Sequence, residues 1–323
     1  MPKTTGMYVL QSGYSSNRYA LWTEDSVGKQ DKEQAAFQLS DIIEPGIKAT
    51  VLGTGYNFSE GPAVDAVGNV YFSARLDKIQ FYAYGRPVEL FTDDTFDPVA
   101  MMFNRDGKLI VTEGAASRIV EFDVRTKEKR TIVSEFEGLR FNEPEHITID
   151  FENGFYFTDP SYRHRDNNTV RKEDVYYVSK DGEISRVSTV CKKPNGIILT
   201  ADCKILYIVD NKVGHVYKYD VLAPGKLANE TLLIHDARGA DGIYLDTEGN
   251  LYVGCSGNGL RIYDKAGKFI GRLAAEYGIP YASSCVFGGP DFSILYITAR
   301  DQFLGISMKV RGILPPSAGN KVP

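Results

Sequence analysis

The 323-residue sequence has a single Trp, four His and four Cys, and each scarcity closes off a class of protein. Cys191, Cys203, Cys255 and Cys285 show no CxxC spacing, which argues against a zinc–thiolate site and a disulfide framework. Most of them lie in or beside apolar strand patterns and read as small buried hydrophobes. Positive charge is not concentrated anywhere: 37 Lys and Arg against 42 Asp and Glu leave a net charge of −5. Without a basic tract, neither nucleic acid nor an anionic membrane is an expected partner. No apolar run approaches the ~20 residues of a membrane-spanning helix. Met1 to Tyr14 lacks the charged-then-apolar order of a secretory signal, so a cytoplasmic location is the expectation. GxSxG, P-loop and HExxH motifs are absent.

What is abundant points to strands. Twenty Tyr and 17 Phe suit pleated surfaces, on which aromatic rings pack well, while helical periodicity surfaces only weakly, over 31–43 and 271–277. The chain also repeats. Segments opening at Glu60, Val99, Glu145, Asn195, Asp241 and Ser284 each read as an apolar strand, a turn rich in Gly, Asp and Asn, and a second apolar strand. Tyr71, Ile110, Tyr156, Tyr207, Tyr252 and Tyr296 centre the second strands. A start every ~40–50 residues is the spacing of four-stranded propeller blades around an axis. Stretches 118–124 with 130–133, and 175–179 with 184–187, supply candidate outer strands. The expectation is an all-β, six-bladed β-propeller over 46–323. The apolar stretch 49–52 would close the ring by completing the blade begun by the sixth repeat. Residues 1–45 form an N-terminal extension expected to pack on the propeller.

Aligned repeats put their opening residues in one column. Equivalent positions on innermost strands face a common central channel, so Glu60, Glu145, Asn195 and Asp241, all oxygen donors, are expected to converge there. Three carboxylates in one channel would repel and raise one another's pKa unless a cation removes that cost. With neither Cys nor His in the column, the donors suit one divalent metal ion, Ca²⁺ first, with Mg²⁺ and Mn²⁺ as alternatives. The bland alternative is that Asn195-Gly196 and Asp241-Gly242 are turn dipeptides. A second column, three residues past each central residue, contains Glu113, Asp159 and Asp210. It reads either as loop capping or as support for the metal ligands.

These residues resemble the senescence marker protein/gluconolactonase/luciferin-regenerating-enzyme-like family, to which diisopropyl-fluorophosphatase is related. The likeness runs from about Thr50 to Gly312. It rests on Glu60-Gly61-Pro62, Tyr156-Phe157-Thr158-Asp159-Pro160-Ser161-Tyr162, Pro194-Asn195-Gly196, Ala240-Asp241-Gly242, and Phe287-Gly288-Gly289 with Leu295-Tyr296-Ile297-Thr298. It implies a six-bladed propeller, a calcium- or zinc-type catalytic metal, and hydrolysis of lactones or related esters. By matching motif, Glu60, Asn195 and Asp241 would be metal ligands, and Asp241 the general base or nucleophile. The family usually has Asn-Asp where this chain has Glu145-His146. A third carboxylate would lower the cation's Lewis acidity or act as a base, which argues against taking gluconolactone itself as the substrate. Asn142 is a candidate substitute ligand or substrate contact.

His146, beside an expected ligand, is a candidate proton shuttle. The cationic loop Tyr162-Arg163-His164-Arg165-Asp166 follows a blade hairpin on the channel side. There Tyr162 and Arg163 would contact substrate, Arg163 by orienting it or clamping an anionic product, or the loop is simply solvated. The leading expectation is a metal-dependent lactonase acting on a small-molecule lactone or ester. The cation would polarise the carbonyl, and Asp241, or His146 through a water, would activate the attacking water. Rival readings are a phosphotriester hydrolase on the same scaffold and a non-catalytic ligand-binding propeller with a structural metal.

Overall fold

The computed structural model describes residues 37–74, 76–163, 169–170 and 172–318. Apart from a four-residue helix, Leu39–Ile42, and two single 3-10 turns, the regular elements there are strands. Each repeat forms its antiparallel hairpin: Thr50–Val64 with Val70–Ser73, Pro98–Phe103 with Leu109–Glu113, and Ile147–Ile149 with Phe155–Asp159. Pro194–Leu199 with Ile205–Asp210, Ile243–Leu245 with Leu251–Gly254, and Ser284–Gly288 with Ile294–Ser307 follow. The six central residues named above are all buried. One device makes most of these turns. The side-chain oxygen of Asp65, Asn104, Asp150 or Asp246 accepts from the backbone N–H groups two and four residues on, at 2.8 to 3.0 Å. An Asx oxygen used this way stands in for the missing ladder partner and fixes the hairpin register.

The strands build an all-β propeller, but the expectation of six separate blades is corrected. The described residues form four four-stranded sheets, one six-stranded sheet and a two-stranded ribbon, Glu135–Phe136 with Leu139–Arg140. Five blades therefore stand apart, one of them of extra width. The cause is the 15-residue strand Thr50–Val64. Its first part pairs with Ile294–Ser307, from Thr50 opposite Gly305 to Ser59 opposite Arg300, and its last part pairs with Val70–Ser73. The first and sixth repeats thus share one sheet, and the closure expected from 49–52 is made within it. Phe303 seals that seam, stacked on Phe72 at 4.1 Å and on Tyr296 at 5.6 Å. The innermost strands touch in chain order, and Ser284–Gly288 returns to Thr50–Val64. Of the N-terminal extension, Ile42 and Ile43 are fully buried in the largest apolar cluster, while residues 1–36 lie outside the described ones.

Candidate metal centre

The column residues sit where the inner strands begin. Glu60 lies within Thr50–Val64, Asn195 is the second residue of Pro194–Leu199, and Asp241 stands two residues before Ile243–Leu245. Glu145 and His146 fill the irregular stretch just before Ile147–Ile149. All five are at most 9% exposed, a depth at which polar side chains need partners. Glu60, His146 and Asp241 each offer a donor atom, and those atoms lie within 4.8 Å of one another. Nε2 of His146 stands 3.8 Å from Oδ1 of Asp241, too far for a direct hydrogen bond.

Tyr162 ties the other two column residues to this group. Its hydroxyl accepts a 2.8 Å hydrogen bond from Nδ2 of Asn195. Burial first, and then the neighbouring charges of Glu145, Asp241 and Glu60, raise that phenol well above its ordinary pKa. It therefore stays protonated amid the carboxylates. The buried atoms with no hydrogen-bond partner among the described residues include Nε2 of His146, Oδ1 of Asn195 and Oδ1 of Asp241. Leaving such atoms unsatisfied costs about 1–3 kcal/mol each. A carboxylate-rich group with an amide oxygen and an imidazole nitrogen fits a divalent cation chemically. Of the column residues Glu60, Glu145, Asn195 and Asp241, the geometry brings donor atoms of Glu60 and Asp241 within 4.8 Å of one another and sets His146 beside them.

Contacts across the inner strands hold these residues in place. The Thr112 hydroxyl donates to the Glu145 carbonyl, and the Thr158 hydroxyl donates to the Asn195 carbonyl, both at 2.7 Å. Thr158 Oγ1 also accepts the His146 N–H at 3.0 Å. Gly196 N donates to Asp241 O at 3.0 Å, and Gly242 N to Ser283 O at 2.8 Å. The turn-dipeptide alternative fails for Asn195-Gly196, which lies inside a strand, whereas Asp241-Gly242 lies in irregular backbone just before its own. Glycine is needed for a different reason. A Cβ at Gly196 would fall 2.3 Å from the Asp241 carbonyl oxygen, and one at Gly242 would fall 2.2 Å from Ser284 Oγ. Either Cβ would force its neighbours at the centre to shift, backbone at Gly196 and side chains at Gly242.

Other expected site residues have different occupations. Asn142 spends its amide donors on the carbonyls of Asp159 (3.0 Å) and Lys172 (2.8 Å), so it braces a loop. Arg163 pairs with Asp97 at 2.8 Å and lies 3.8 Å from Glu143, which takes up the charge expected to clamp an anion. His164 and the rest of that loop to residue 168 lie outside the described residues. In the second column, capping prevails. Glu113 pairs with Arg118 at 2.6 Å, Asp159 accepts the Asn142 N–H at 2.9 Å, and Asp210 accepts those of Lys192, Lys193 and Lys212 at 2.7 to 3.1 Å. Glu143 and Lys193, which hold the Tyr162 loop, were not singled out from the sequence. Neither occupies a repeat column, so periodicity carried no signal for them.

Fold and centre together define the class, a β-propeller whose inner strands gather a buried candidate metal site. The chain belongs to the SMP-30/Gluconolactonase/LRE-like family, which it matches over residues 32–301. It is 26% identical over 228 residues to a gluconolactonase of Zymomonas mobilis, covering 66% of this chain and 63% of that protein. It is 28% identical over 233 residues to regucalcin of Danio rerio, covering 65% and 76%. The match thus spans somewhat under two thirds of the first of these relatives. Among solved structures, a gluconolactonase from Xanthomonas campestris superposes with a TM-score of 0.74 at 21% identity, covering 84% of this chain and 92% of that one. A calcium-binding protein, regucalcin, from Agrobacterium tumefaciens gives 0.71 at 22%, covering 84% and 97%. At these identities the structural likeness speaks for the fold.

Proposed function

We propose that this chain is a metal-dependent hydrolase that opens a small-molecule lactone or related ester. The observation that carries the reading is the close approach of buried donor atoms on Glu60, His146 and Asp241, of which Nε2 of His146 and Oδ1 of Asp241 have no hydrogen-bond partner among the described residues. Relatives named gluconolactonase, lactonase and regucalcin support it. Glu60, Glu145, Asn195 and Asp241 would hold the cation, Ca²⁺ first. Zn²⁺, Mg²⁺ and Mn²⁺ are the alternatives, and His146 is left off the cation so that its Nε2 can act as a base. Bound there, a divalent cation supplies polarisation of the carbonyl and compensation of the carboxylate charge.

The chain's own residues supply the rest. Nε2 of His146, turned toward Asp241, takes the proton of the attacking water as its oxygen adds to the lactone carbonyl carbon. The Tyr162 hydroxyl, with one lone pair engaged by Asn195, keeps its proton and donates a hydrogen bond to the substrate oxygen that gains charge. When the ring C–O bond breaks, the protonated imidazole returns its proton to the leaving alkoxide. The product is one hydroxy acid.

The test is hydrolysis across a panel of lactones, before and after chelation, with each metal added back. Turnover lost on chelation and restored by one cation is expected. Asp241→Ala should lower kcat/KM by a factor of about 10² or more. A rate near wild type in that variant would sink the mechanism.

A further inference from the structure

Among the described residues, the backbone hydrogen bonds of the short loop Ser161–Arg163 end on charged side chains. Oε1 of Glu143 accepts the N–H of Tyr162 at 2.7 Å and the N–H of Arg163 at 2.5 Å. Nζ of Lys193 donates to the Ser161 carbonyl at 2.7 Å and to Glu173 Oε2 at 2.5 Å. The same Glu173 oxygen accepts the Ser161 N–H at 3.1 Å. Above these contacts, the Lys193 ammonium lies 4.6 Å from the centroid of the Tyr162 ring, a cation–π distance. Glu143 is fully buried, and Lys193 is 8% exposed. Burying a carboxylate and an ammonium is costly unless both are well paired. Here both are spent on a single tyrosine-bearing loop.

We propose that Glu143 and Lys193 are positioning residues that fix Tyr162 so that its hydroxyl turns the Asn195 amide oxygen toward the metal centre. An amide presents either its oxygen or its NH₂ to a given direction. Only the oxygen can bind a cation. By accepting from Nδ2, Tyr162 selects that orientation, and the clamp under Ser161–Arg163 keeps Tyr162 where it can accept. This is the role played elsewhere by hydrogen-bond partners that orient metal ligands, whose loss costs 10- to 100-fold in affinity. The inference rests on reading the centre as a metal site.

Calorimetric titration of the full chain with Ca²⁺, Mn²⁺ and Zn²⁺ in turn separates the two ideas. Tyr162→Phe, Glu143→Ala and Lys193→Met should each weaken the tightest-binding cation by about tenfold or more. Glu143→Gln should stay within about twofold of wild type, because its amide oxygen still accepts both N–H groups. Lys108→Met, which breaks a 2.5 Å pair with Asp123 in a remote turn, controls for general loss of charge and should not weaken binding. If the wild type binds none of the cations, the metal centre itself is wrong and the proposal falls with it. If the wild type binds and folded Tyr162→Phe binds equally well, the proposal alone is overturned. Should Glu143→Ala or Lys193→Met fail to fold, Tyr162→Phe still decides, since it removes a single oxygen atom.

Discussion

At the residue scale, the centre depends as much on missing side chains as on the donors themselves. A Cβ at Gly242 would lie 2.2 Å from Ser284 Oγ and 3.0 Å from Cε1 of His146. Alanine there must push the imidazole, the serine or the Asp241 backbone away. Gly242→Ala is therefore expected to lower lactone kcat/KM by about tenfold or more, as a displacement near 1 Å commonly does. The steady-state rate and a calcium titration on the purified variant check this, and unchanged values for both would contradict it. The candidate oxygen donors stood out in the sequence because each opens a repeat, and equivalent positions are expected to face one channel. His146 was legible as a candidate shuttle but not as a member of the donor group. Strand alternation would turn the residue after Glu145 away from the channel. Glu145 and His146 precede their strand, in irregular backbone where that rule does not hold.

Elements meet the centre through the loops that enter and leave them, and Asp159 shows what that costs. It ends the strand Phe155–Asp159 and accepts the Asn142 N–H at 2.9 Å. Burial, and then the neighbouring Glu143 and Glu173, hold its carboxyl well above the ordinary range, against the backbone donors that lower it. A folded-state pKa raised above the unfolded one means that the fold binds the extra proton. The stabilisation is then complete below the ordinary carboxylate pKa and is lost as pH rises toward the folded value. Asp159→Asn keeps the acceptor and removes the titration. Urea midpoints measured from pH 4 upward should show the variant gaining on wild type, by at most about 1.4 kcal/mol per pH unit. A difference that does not change with pH would contradict this. Pairwise comparison matters, because Asp150, Asp174 and Asp246 are raised by burial too. Loop-capping carboxylates and metal-supporting ones look alike in sequence, since both stand at strand ends. Only the partners of Glu113, Asp159 and Asp210 decide between those roles.

At the scale of the propeller, the repeat was plain in the sequence, but the number of separate sheets was not. Periodicity locates hairpins; it does not show whether a strand stops between two of them. Thr50–Val64 does not stop, and so it merges the first and sixth repeats. The candidate ligands come from the first, third, fourth and fifth repeats, positions 60 to 241 of the chain. An unfolded chain cannot assemble donors so far apart in sequence. A cation held there binds the folded ring alone and must stabilise it by mass action. At a hundredfold excess over Kd the gain is about 2.7 kcal/mol, which for a domain of this size raises Tm by roughly 5–10 °C. Calorimetric scans with the restoring cation and with chelator should therefore differ by that amount, and Asp241→Ala should lose most of the difference. An equal shift in wild type and Asp241→Ala would mean that the cation binds elsewhere. No shift in either would mean that the converging carboxylates are balanced by the protein's own hydrogen bonds and not by a metal.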